Sequence, residues 1–152
     1  MGHTSRQYWD YFGTDAAQNG VVLSSSCSGS TGTCTATMYP DGKITALIAT
    51  VSTGQKTTVT INTPLAFKVI DAKQQHVSAI AAGATAINGT VQNNSSAISV
   101  VFETASLGII ERSATIDPTY SAFSADDDDL VIVVSSSSST SSVLITLTTV
   151  FT

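Results

Sequence analysis

VLITLTTVF, residues Val143–Phe151, sets Val143, Ile145, Leu147 and Phe151 on one side of an extended chain and Thr146 and Thr148 on the other. Successive side chains of a strand point to opposite faces, so this spacing gives one dry and one wet face. A surface helix would instead repeat its apolar residues every three or four positions. The same alternation recurs upstream. KTTVTIN (56–62) carries Val59 and Ile61 with threonines opposite, and LAFKVID (65–71) sets Leu65, Phe67 and Val69 against Ala66, Lys68 and Ile70. In AISVVFE (97–103), Ile98, Val100 and Phe102 alternate. The excess of Val, Ile and Thr agrees with strands.

Turn signals separate these runs. Pro40-Asp41-Gly42 divides TATMY from KITALIATVS: proline fixes φ and glycine accepts a positive one. Asn88-Gly89 reads as a hairpin turn, and Asn93–Ser96 as a second turn. HVSAIAAGATAI (76–87) has helix-favouring alanines, but Gly83 and the β-branched neighbours favour strand. One short helical turn is expected in IDPTYSAF (116–123), with Asp117 as its cap and Pro118 at the first helical position. Many short strands joined by turns predict an all-β sandwich or barrel from about residue 37 to 152. Residues 1–36 read as an arm followed by a Ser/Gly-rich connector.

Composition narrows the function. A chain of 152 residues suits one domain, and 42% hydrophobic residues suffice for a core. Charged residues make up 11%, against about 25% in soluble domains generally. Six basic and 11 acidic residues give a net charge of −5, and four of those acids are the run Asp126–Asp129. Without a basic surplus to neutralise phosphates, nucleic acid is not an expected partner. Apolar runs such as Leu130–Val134 fall far short of the ~20 residues of a membrane helix. Residues 1–20 lack the basic-then-apolar order of a signal peptide, so synthesis in a cytoplasm is expected, with no membrane contact.

The run in SADDDDLVIVV (124–134) invites a cation-site reading. A calcium loop, however, needs oxygen ligands at spaced positions and a glycine that lets the chain wrap the ion. Four consecutive aspartates project in different directions and repel one another, which describes a solvated turn starting a strand. A site sharing two carboxylates with a neighbouring subunit is the alternative. Cys27 and Cys34, in SSSCSGSTGTCTAT, read first as free thiols and second as a disulfide, which needs an oxidising setting. With His3 and His76 as the only histidines, no zinc-ligand spacing appears.

Catalytic signatures are missing. His76 lies in a polar stretch without a Gly-x-Ser-x-Gly elbow, Glu103 and Glu111 are the only glutamates, and no Gly-Lys-Ser/Thr phosphate loop occurs. No nucleophile, base and orienting group assemble, so neither an enzyme, a cofactor, a metal nor a small-molecule substrate is expected.

Three segments together carry a family likeness: NTPLAFKVIDAKQQH, ATAINGTVQNNSSAIS and ERSATIDPTYSAFSADDDDLVIVVSSSSSTSSVLITLTTVF. Over about residues 57–152 the chain resembles the small jelly-roll cement (decoration) proteins of tailed-bacteriophage capsids, which are related to head- and tail-fibre β modules. Pro64, Phe67, Val69 and Asp71 match a first motif, Asn94, Ala97 and Ile98 a second, and Arg112, Ala114, Thr115, Ile116 and Asp117 a third. Ser113 is inserted in the third motif, and Asp126–Asp129 replaces a loop that is Gly-rich in the family pattern. The resemblance implies a jelly roll, often a homotrimer, fastened by the major capsid protein to the exterior of a virion. It implies that Arg112 and Asp117 form a structural pair or a subunit contact, with a plain surface ion pair as the alternative. In that setting Tyr8, Trp9, Tyr11 and Phe12, four of the ten aromatics, suit an arm that docks on the shell or on a neighbouring subunit. The competing readings are a fibre module that binds a host glycan through Tyr120 and Phe123, and a bacterial adhesion domain, which would require export.

Overall fold

The computed structural model describes residues 21–23, 25–28, 34–39, 42–79, 87–99, 102–104, 110–113, 115–136 and 141–152. Tyr8, Trp9, Tyr11 and Phe12 lie outside the described residues. Two antiparallel sheets face each other. The first runs β1 (Val21–Leu23), β3 (Cys34–Tyr39), β4 (Lys43–Val51), β13 (Ser141–Phe151), β6 (Phe67–Ala79), with β10 (Ile110–Arg112) and β11 (Ala122–Phe123) both on the far edge of β6. The second runs β2 (Ser25–Ser28), β5 (Lys56–Asn62), β12 (Asp129–Ser136), β7 (Ile87–Asn93), with β8 (Ser96–Ala97) and β9 (Phe102–Thr104) both along β7.

From β4 onward the strands form eight units, counting β8 with β9 and β10 with β11. The first sheet then holds the first, eighth, third and sixth units, and the second sheet holds the second, seventh, fourth and fifth. This is the double Greek key of a jelly roll, an all-β antiparallel sandwich. Among the described residues there is no helix.

The period of two explains the core. Val143, Ile145 and Leu147 of β13, Val59 and Ile61 of β5, and Leu130, Ile132 and Val134 of β12 are all buried between the sheets. Phe67 and Val69 of β6 join them, and Phe67 stacks on Phe123 with ring centroids 4.8 Å apart. The register of β6 against β13 slips where Thr148 and Thr149 face Asp71 and Val69. This bulge leaves Ile70 half exposed while Val69 and Ala72 both stay inside. Leu65 precedes β6 and Phe151 ends β13; both lie beyond the core and are about half exposed, against the alternation read from sequence.

Several local readings are corrected. The sandwich begins at Val21, not at residue 37: β1 pairs with Ala36–Met38 in the first sheet, and β2 pairs with Thr58–Ile61 in the second. Cys27 and Cys34 are not free thiols but a disulfide, with Cα atoms 6.0 Å apart. Because Cys27 sits in β2 and Cys34 in β3, the bridge staples the two sheets along one edge. Asn88-Gly89 makes no turn. It lies within β7, where Gly89 pairs with Val134 on one side and Phe102 on the other, and two neighbouring strands outweigh the local turn preference. The expected helical turn is a plain turn at 118–120, in which Thr119 N donates to Asp117 Oδ1 at 2.7 Å.

Other turns form as read. Gly42 N donates to Tyr39 O at 3.1 Å, and Gly42 adopts φ +85°. Its carbonyl accepts from Thr149 N at 2.6 Å and Thr149 Oγ1 at 2.9 Å, tying the turn to the end of β13. A Cβ on Gly42 would stand 2.5 Å from Thr149 O. Gly42→Ala therefore meets both a left-handed backbone and a backbone clash. We expect it to cost about 2–3 kcal/mol, read as a lowered urea midpoint with an unchanged slope. Replacing both Cys27 and Cys34 by serine, which opens a loop with a separation of seven residues, should lower stability by about 2.5 kcal/mol. Dithiothreitol should produce the same loss in the parent chain and none in the double variant.

Candidate functional site

Three turns meet at one end of the sandwich, and side-chain amides join them. Asn93 Nδ2 donates to Tyr120 O (3.2 Å) and Ala122 O (2.9 Å), fixing the 118–123 segment against the end of β7. Asn94 adopts φ +52°, a conformation asparagine tolerates, and its amide reads the aspartate run. Asn94 Nδ2 donates to Asp128 Oδ1 (3.0 Å), and Asn94 Oδ1 accepts from Asp129 N (3.0 Å).

The run itself is a turn, as its sequence implied. Asp128 Oδ2 accepts from Ser124 N at 2.7 Å, Asp128 O accepts from Thr63 Oγ1, and Asp126 N donates to Thr63 O at 2.9 Å. Asp126 holds φ +64°. Asp128 is thus the structural member, while the side chains of Asp126 and Asp127 are left exposed. Tyr120, 45% exposed, stands at the same end, whereas Phe123 is buried against Phe67.

A second cluster lies on the outside of the first sheet. Arg112 Nε donates to Asp71 Oδ1 at 2.7 Å, and Lys73 Nζ stands 3.9 Å from Asp71 Oδ2. Arg112 therefore pairs with Asp71 rather than with Asp117, because the register of β10 on β6 sets Arg112 beside Lys73 while Asp117 is held in its own turn. With the Arg112 side chain 68% exposed, the pair contributes about 0–1 kcal/mol. It borders an open cleft of about 480 Å³ lined by Ile70, Ser113, Thr115 and Ile116. No local spacing points from Asp71 to Arg112, since the pairing joins residues 41 positions apart.

His76 is 2% exposed on the inner face of β6, and neither ring nitrogen has a hydrogen-bond partner. Glu111 is exposed on β10, at the sheet edge. Among the described residues no three of His, Cys, Asp and Glu are grouped so as to hold a metal ion.

No protein-family profile and no curated protein matches the chain. Among solved structures it is similar to the enzymatically active domain of tailspike protein 4 of bacteriophage CBA120, with a TM-score of 0.38 and 10% identity over 90% of this chain. The chain spans 20% of that protein's length, and a likeness so slight carries neither family nor function across.

The turn cluster separates the roles of adjacent aspartates. Asp128→Ala removes an acceptor shared by Asn94 and Ser124 and should cost about 1–2 kcal/mol. Asp127→Ala should stay within about 0.5 kcal/mol of the parent chain in the same urea titrations.

Proposed function

We propose that this chain is a structural virion protein of the cement type, which binds the major capsid protein on the outside of a bacteriophage head and stabilises the shell. In this reading it acts as a rigid bound part and not as an enzyme. The observation that carries the reading is how the residues of the family likeness meet in the fold. Phe67 and Val69 supply core, Arg112 reaches across to Asp71, and Asp117 N donates to Ile98 O at 2.8 Å, so that all three motifs join at one edge of the sandwich. Motifs that serve as one packing arrangement are what a shared jelly roll requires.

The Cys27–Cys34 bridge supports an exterior position, since disulfides persist on virion and cell surfaces and are rare in the cytosol. The docking role of Tyr8, Trp9, Tyr11 and Phe12 belongs to the same proposal. Exposed Tyr120 beside the acidic turn favours the second reading, a fibre or receptor-binding module that recognises a host glycan.

Quantitative mass spectrometry of purified particles distinguishes the two. A copy number approaching that of the shell subunits is expected for a cement protein. A number far below it points to a fibre or vertex protein, and complete absence from particles overturns both.

A further inference from the structure

The edge strand β2 has little of its own to hold it. Its sequence is SSCS, so Cys27 is its one apolar residue, and none of its side chains belongs to the buried core. Ser26 and Ser28 are exposed, and the ladder on β5 is short, Ser25–Ser28 against Ile61–Thr58. Ser25 Oγ donates to Cys34 O at 3.3 Å, a long bond that runs to β3 and not to β5. At the opposite edge β11 pairs with only two residues of β6, but it inserts Phe123, which stacks on Phe67. Few buried apolar contacts and a short edge ladder are the marks of low local stability.

The strands around β2 are anchored without it. β3 pairs with β4 from Cys34 to Tyr39, and its Ala36 and Met38 sit in the core. β5 is held from its other side by β12, over the whole stretch from Lys56 to Asn62, and buries Val59 and Ile61. Burial and long ladders therefore fix β3 and β5, whereas β2 relies on its covalent tie to β3. Cys27 and Cys34 are each only half-buried, which leaves the tie within reach of a small thiol.

We infer that the Cys27–Cys34 bridge is a redox latch on β2. With the disulfide closed, the second sheet ends at β2; with both cysteines reduced, β2 leaves and the sheet ends at β5. The reductant is a low-molecular-weight dithiol. One of its thiolates attacks a sulfur of the bridge, and the other cysteine departs as a thiolate that takes up a proton. The reductant's second thiol then displaces the first cysteine, so two electrons and two protons pass to Cys27 and Cys34 and the reductant becomes a disulfide.

Opening the latch uncovers the backbone of Thr58–Ile61 on the side that β2 had paired. An uncovered strand edge is a template for an extended chain, so a reducing compartment favours a receptive edge and an oxidising one a sealed edge. This inference does not depend on the capsid reading, because it follows from what each strand buries.

Hydrogen exchange of the full chain, read at single amides by NMR with and without dithiothreitol, tests the latch. Labelling of both thiols by iodoacetamide, without denaturant, confirms reduction of the folded chain. The oxidised chain should protect Ser25–Ser28. After reduction those amides should exchange close to the rate of an unstructured chain, while those of β12 and β13 stay about a hundredfold or more slower. Cys27→Ser with Cys34→Ser should show the reduced pattern from the outset and ignore dithiothreitol. If that variant does not fold, Cys27→Ala with Cys34→Ala keeps both positions apolar and gives the same readout. Three results would overturn the inference: a bridge that dithiothreitol cannot open in the folded chain, continued protection of Ser25–Ser28 once both thiols are labelled, or exchange of β12 and β13 at the unstructured rate together with β2. The last would make the bridge a support of the whole sandwich and not a latch on one strand.

Discussion

The first sheet is held together by its last strand. β13 lies between β4 and β6, and hydrogen-bonds to both along most of its length. Those two strands meet each other only through it, although β4 begins about 100 residues earlier. Val143, Ile145 and Leu147 therefore pack at the middle of a sheet whose flanks are made long before them. The join between the β1–β3–β4 and β6–β10–β11 parts of the first sheet waits for the end of the chain, and such long-range pairing predicts slow formation relative to helical domains. The Gly42–Thr149 bonds have the same logic, since they anchor an early turn to the closing strand.

That closure fixes both edges of the sandwich. Along one edge, residues 21–28 pass from the first sheet to the second, and the Cys27–Cys34 bridge ties β2 to β3 where only short strands are available. Along the other, β10 and β11 cover separate lengths of β6, and Ile116 bridges to Ser99 of the opposite side. Short, covered edges reduce the unpaired backbone that would otherwise template aggregation. The interior is less uniform. Gln74 Nε2 donates to Ile87 O at 3.2 Å, whereas His76, two residues on in the same inward row, has no partner for either nitrogen. His76 stands opposite Val143 of β13, so the desolvation cost of its burial, about 1–3 kcal/mol, falls on the apolar layer around Val143.

Alternation made most of the strands legible, because a half-buried strand must put its apolar residues at every second position. The turns at Gly42 and Asn94 were legible as well, since each needs a left-handed backbone that few residues accept. What failed has a common cause. Asn88-Gly89 is a turn sequence by local preference, yet β12 and β9 pair with it from both sides. Cys27 and Cys34 gave no sign that they stand in opposite sheets, and Arg112 gave none that Asp71 rather than Asp117 is its neighbour. Each is a fact of topology, decided by which strands the fold brings together and not by the residues adjacent in sequence. The aromatic arm offered no such pattern at all.

The aspartate run shows the same division at the scale of single residues. Four identical side chains of like charge have no reason, on composition alone, to differ. Position separates them: Asp128 is enclosed by Ser124 and Asn94 and closes the turn, Asp129 begins β12, and Asp126 occupies a left-handed backbone with its carboxylate in solvent beside that of Asp127. Fixing one carboxylate from two sides holds its neighbours in place without engaging them. A flexible acidic loop would sample many conformations, whereas a turn bonded to Thr63 and Asn94 holds its backbone in one. The hydrogen bonds that make the run a structural turn are therefore the same ones that keep Asp126 and Asp127 exposed.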